Sequence, residues 1–216
     1  PVAGGVGCLG AAEFNGRIYW FTESRTHYIT VANVGGDWSA LAVEDADTFT
    51  KTDASFHPSV VINKSLFIGD GNQVAQLTSA FAFTASAVDI IAPHRIKDMA
   101  PYGIDLLLGT FVAATVNLCK VIQWDTVQTT WQFEDELIEN GVNAFLRMDN
   151  TVVFQAGQNG MLYAWDGAAH VAVPYKRIPG DFTPTKYGEV FPNSVGNYRG
   201  IPLFGFSNGS GNPADQ

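Results

Sequence analysis

Three carboxylates, Glu13, Asp98 and Asp149, come one each from three repeated segments of this chain. Two carboxyl groups facing one another across a sugar are what acid–base hydrolysis of a glycosidic bond requires. Two of the three also have a plainer use: Asp149 falls in a turn, where Asp bonds its own backbone, and Glu13 adjoins another turn. Hydrolysis is therefore the alternative reading, and the sequence assigns no catalytic residue outright. Of the four histidines, His57 and His94 each lead into an apolar strand and are binding candidates at one end of a channel, a turn or packing role being favoured over metal ligation. Trp38, in the loop Gly35-Gly36-Asp37-Trp38-Ser39, is the third binding candidate, an aromatic surface able to stack on a sugar ring or a partner protein. Asp70-Gly71-Asn72 offers too few oxygens for calcium and reads as a hairpin turn. No metal and no cofactor is expected. The glycines of Gly5-Val6-Gly7-Cys8-Leu9-Gly10 have dinucleotide-fingerprint spacing but lead into strand rather than helix. Walker, His-Glu-x-x-His, Cys-x-x-Cys and Gly-x-Ser-x-Gly signatures are absent.

The elements that must position these residues recur five times. An apolar run reaches a tight turn at Asn15-Gly16, Asn63-Lys64, Tyr102-Gly103, Asp149-Asn150 and Arg199-Gly200, and a second run of aromatic or branched residues follows. The second turn residues are spaced by 48, 39, 47 and 50, the period of a four-stranded propeller blade. The expected fold is all-β, a β-propeller-type array of four-stranded antiparallel blades. Four are complete (7–55, 56–92, 93–140 and 141–182), a fifth is partial (190–206), and 207–216 is a loop tail.

Within each repeat the second strand is the most hydrophobic, as burial between two neighbours demands. Third strands are expected over Thr26–Val31, Gln73–Leu77, Cys119–Asp125 and Met161–Asp166, the last two ending in Trp-Asp without the Gly-His that accompanies it in WD repeats. Polar outer strands are expected at Thr48–Lys51, Phe81–Thr84, Thr130–Phe133 and His170–Val173, with the acidic Glu134–Gly141 as a connection between blades. The fifth repeat ends where a hairpin should continue. The expectation is a fragment of a larger propeller, with a closed five-bladed ring as the alternative and an exposed flank able to recruit a second chain.

Of 216 residues, 46% are hydrophobic and 15% charged, and 22 glycines and 10 prolines suit many short strands. A net charge of −9, with no cluster of Lys or Arg, opposes binding to nucleic acid. No apolar run has the length of a membrane-spanning helix, and a soluble protein without membrane insertion is expected. Cys8 and Cys119 sit in apolar contexts in different blades and are expected to be two packed, free thiols.

The stretch Phe56-His57-Pro58-Ser59-Val60-Val61 through Leu66-Phe67-Ile68-Gly69-Asp70-Gly71, with His94-Arg95-Ile96 and Leu106-Leu107-Leu108-Gly109-Thr110, resembles uncharacterised propeller proteins of tailed-phage and environmental viral structural genes. Gly141-Val142-Asn143-Ala144-Phe145, Lys176-Arg177-Ile178-Pro179-Gly180-Asp181 and Gly200-Ile201-Pro202-Leu203-Phe204-Gly205 are similar to the same group. The resemblance implies a structural or receptor-binding role on a virion or tail. From the residues themselves, a non-enzymatic module whose loops meet a protein or glycan partner is expected. It carries over no catalytic residues.

Overall fold

The computed structural model describes residues 7–30, 44–51, 55–112, 117–149, 151–158, 160–177 and 190–206. Trp38 and the 207–216 tail lie outside them. The chain forms two compact units, Pro1–Ile90 and Ile91–Gln216. The first holds one sheet of β1 (Gly10–Phe14), β2 (Arg17–Phe21), β3 (Arg25–Thr30) and β4 (Glu44–Thr48), and another of β5 (Ser59–Ile62), β6 (Ser65–Asp70), β7 (Gln73–Thr78) and β8 (Phe83–Asp89). The second unit holds β9 (Arg95–Tyr102), β10 (Asp105–Phe111), β11 (Cys119–Trp124) and β12 (Phe133–Leu137) in one sheet. Its second sheet is β13 (Val142–Met148), β14 (Thr151–Ala156), β15 (Met161–Asp166) and β16 (Val171–Arg177), and the pair β17 (Val190–Tyr198) and β18 (Ile201–Phe206) follows. Every sheet is an antiparallel meander in chain order.

The turns explain the registers. At Asn15-Gly16, Asn63-Lys64 and Arg199-Gly200 the φ angles are 49° and 76°, 51° and 60°, and 53° and 81°. Two left-handed residues in succession make the turn whose twist matches that of paired strands. In the third repeat Tyr102 pairs with Asp105, so the turn residues are Gly103 and Ile104, one position later than the sequence suggests. Gly103, at φ 62°, supplies the left-handed position there.

Second strands are buried on both faces where a neighbour covers each: β6 throughout, β10 and β14 at all but end positions. In the first unit Phe14, Tyr19, Phe21, Phe49, Leu66 and Ile68 share a core. In the second, Leu107, Cys119, Val142, Phe145, Phe154 and Trp165 share another. Gly109 of β10 lets β13 come close, since a Cβ there would lie 2.6 Å from Val142 Cγ1 and 2.8 Å from Phe145 Cε2. β18 is different: Ile201 and Leu203 stay exposed on one of its faces.

The outer strands differ from expectation. They run over Glu44–Thr48, Phe83–Asp89, Phe133–Leu137 and Val171–Arg177, and the first half of the acidic stretch expected as a connection, Glu134 to Leu137, belongs to β12. Its composition hides a strand because the third strand's backbone needs a partner whatever the side chains are, and the edge face leaves acids in water. Cys119 to Gln123 pair in register with Leu137 to Phe133, and Lys120 Nζ meets Glu134 Oε1 at 2.6 Å. Of the residues expected there, Thr130 to Gln132 instead belong to a loop, in which Asp125 Oδ1 accepts the Val127 and Gln128 N–H groups at 2.9 Å each, and only Phe133 is strand.

Both cysteines are free, but only Cys119 is buried; Cys8 precedes β1 and is exposed, which corrects the expectation of two packed thiols. Burial, followed by the charge of Glu139, pushes the Cys119 thiol up to about 12. Iodoacetamide on the native protein should therefore modify Cys8 within minutes and Cys119 only after unfolding, as read by peptide mass. Rapid double labelling would contradict the packing of β11.

Candidate functional site

The candidate carboxylates occupy three different environments. Glu13 lies exposed on β1, opposite Ile18. Asp98, on β9, is buried, and its Oδ2 accepts the Phe145 backbone N–H at 2.6 Å, tying β9 to β13. Burial raises the Asp98 carboxyl to about 7, opposed by the hydrogen bonds it accepts from the Phe145 and Met99 backbones. Asp149 is exposed in the turn after β13. Four residues separate Phe145 from Asp149, roughly 13 Å at roughly 3.3 Å each along a strand. Paired glycosidase carboxyls stand roughly 5–9.5 Å apart. The structure does not bring these two together.

Both candidate histidines are buried just ahead of strands. His57 is buried ahead of β5, stacked on Phe49 at 4.8 Å, and its Nδ1 donates to Gly69 O at 2.7 Å. Its Nε2 is buried without a hydrogen-bond partner among the described residues. His94 is buried ahead of β9, with Nδ1 3.1 Å from Thr110 Oγ1. Burial, then the Lys120 charge, holds His94 below the ordinary imidazole range. Among the described residues no group of three or more His, Cys, Asp and Glu could hold a metal ion.

The two Trp-Asp pairs have a common structural use. Trp124 and Trp165 are buried, with Nε1 donating to Gln128 O at 2.7 Å and Gln123 Oε1 at 3.1 Å. Asp166 Oδ1 accepts the Ala168 and Ala169 N–H groups at 2.9 and 3.2 Å, closing a turn as Asp125 does. Gln123 also reaches Asp105 Oδ2 at 2.5 Å, and His170 stacks on Phe133 at 3.4 Å. These contacts lock the two four-stranded sheets of the second unit at one hairpin end. Further along the strands the fully buried Asn143 donates to Gln155 Oε1 and Gly157 O, each at 2.7 Å, and accepts Lys97 Nζ at 2.6 Å.

At the locked end lies a cleft of about 370 Å³. Pro101, Tyr102 and Gly103 form one wall, from the β9–β10 turn. Arg147, Met148 and Asp149 form the other, with Thr151 and Val152 opening β14 behind them. Arg147 and Asp149 are exposed, and neither makes a hydrogen bond or ion pair among the described residues. Tyr102 is held from behind: its ring packs on the second unit's core, and a Cβ on Gly167 would lie 1.8 Å from its hydroxyl. Gly167→Ala should therefore swing the Tyr102 ring at a cost of about 1–3 kcal/mol. The checks are a shift of the Tyr102 ring resonances and a thermal melt. Unmoved resonances would refute the contact.

Asp149 was legible as a candidate, but Arg147 and Tyr102 were not singled out. The available signal was a lone charged residue, Arg147, in the run Val142–Met148.

No protein-family model matches this chain, and no curated protein matches it. Solved structures do. The computationally designed protein Ika8 superposes with a TM-score of 0.60 at 10% identity, covering 95% of this chain and 59% of Ika8. The WD40 repeats of RRP9 superpose at 0.57 and 10% identity, covering 80% of this chain and 52% of theirs. The fold is a β-propeller. Four antiparallel four-stranded blades and a two-stranded fifth account for the described strands. The extracellular domain of BT4673 from B. thetaiotaomicron gives 0.60 at 14% identity, covering 90% of this propeller and 24% of that chain. This chain thus spans only part of the length of these structures. Among its described residues no helix is long and apolar enough to cross a membrane.

Proposed function

We propose that this propeller is a non-enzymatic binding and structural module that presents its hairpin turns to a protein or glycan partner. The observation that carries the reading is the cleft of the second unit. Two opposite charges stand at its rim, Arg147 near the end of β13 and Asp149 in the turn after it, without partners among the described residues, and the buried Asp98–Phe145 hydrogen bond ties β9 to β13 behind them. A site whose charges are unpaired and whose frame is rigid loses little entropy on binding. The resemblance to viral structural propellers supports a place on a virion or tail. The apolar outer face of β18 supports assembly with further chain or a second copy.

The hydrolytic alternative is less well supported, since Asp98 is enclosed and bonded to the backbone while Asp149 stands far along the strand. Glycan and peptide arrays probed with the wild type and an Arg147→Ala/Asp149→Ala variant test the reading. Binding by the wild type that the variant loses is the expected result. Turnover of an aryl glycoside that Asp149→Asn abolishes would replace it with the hydrolase.

A further inference from the structure

We infer that the cleft between the β9–β10 and β13–β14 turns recognises a saccharide bearing a single carboxylate, a uronic or other acidic sugar. The inference rests on the binding-module reading and deepens it. Arg147 offers a planar fork of donors matched to a carboxylate, and no group among the described residues competes for it. Asp149, acceptor only, is likewise without a partner among the described residues and is suited to neighbouring sugar hydroxyls. Tyr102, braced by Gly167, provides an aromatic face on the opposite wall, where the C–H side of a pyranose can lie. At Gly103 a Cβ would meet nothing within 4 Å, so a ligand can approach the backbone from open space.

The same wall argues against a peptide. None of the apolar lining side chains, Pro101, Met148 and Val152, is strongly exposed as an anchor surface. A net charge of −9 repels polyanions at a distance and leaves recognition of one carboxylate to Arg147 itself.

The test titrates the protein with a uronic-acid-ended disaccharide and with the same disaccharide after reduction of its carboxylate to a primary alcohol. Calorimetry gives the affinities, and chemical shifts of Tyr102 and Arg147 report the site. The acidic sugar should bind at least tenfold tighter, Arg147→Gln should remove that preference, and Tyr102→Ala should weaken both sugars. Because Arg147 is exposed, its variant should melt within a few degrees of wild type, which separates lost recognition from lost fold. Equal affinity for the two sugars would overturn the carboxylate inference and leave a glycan-binding module standing. Shifts at the cleft with a peptide library and none with either sugar would overturn the saccharide inference alone. Silence of the cleft toward sugars and peptides alike would overturn both the inference and the module reading beneath it.

Discussion

Phe154→Ala should lower the unfolding free energy by about 3–5 kcal/mol. Phe154 sits on β14 with no exposed surface. Its ring meets Phe145 edge-on at 5.3 Å and stacks on Tyr163 at 5.5 Å. Truncation opens a cavity between paired strands whose backbones cannot collapse into it, so both transfer and cavity costs apply. Domains of this kind are stable by about 5–15 kcal/mol, so the loss is a large share of the total. Urea unfolding of wild type, Phe154→Ala and the milder truncation Phe154→Leu checks it. A loss below about 1.5 kcal/mol for the alanine variant, the level of a volume-conserving swap, would mean that β14 is not packed on both faces.

The second large effect is on pH dependence. Asp98 has a carboxyl raised to about 7 in the folded protein, chiefly by burial. An unfolded Asp titrates near 3.9. The folded state therefore holds the proton more tightly. The stabilisation is fully present below about pH 4, declines as pH rises and is gone above about pH 7. At about 1.4 kcal/mol per unit this is roughly 4 kcal/mol across the window. Asn can accept the same Phe145 N–H without carrying a charge. Asp98→Asn should accordingly flatten this part of the profile and equal or exceed the wild type at pH 8. Denaturation curves at pH 5, 6, 7 and 8 decide it: an unchanged difference between the two proteins at every pH would show that Asp98 titrates no differently when folded.

The pairing of β13 with β14 and β17 with β18, and the alternation that places β1 against β2, could be read from a dozen residues at a time. Turn chemistry and strand composition act over that range. Among the expected third strands, Met161–Asp166 is β15 to both ends. The outer strands departed from expectation, because β12 exists only through the bonds β11 offers it, and its own Glu and Asp argue for a loop.

The candidate site divides in the same way. Asp149 was visible as a polar residue in a turn, whereas Asp98, of the same type and in a comparable apolar setting, turned out to be a buried tie between strands. What separates them is the neighbour in the adjoining sheet, 47 residues away in the chain. By itself, then, the sequence determined the repeat, the antiparallel blades and the hydrophobic second strands, all consequences of local patterning. Only the tertiary structure decided that Tyr102, Arg147 and Asp149 share a cleft, that Gly167 braces one of them and that His57 and His94 are enclosed. Those outcomes depend on which turns of separate hairpins are brought to one end, and that is set by packing between sheets.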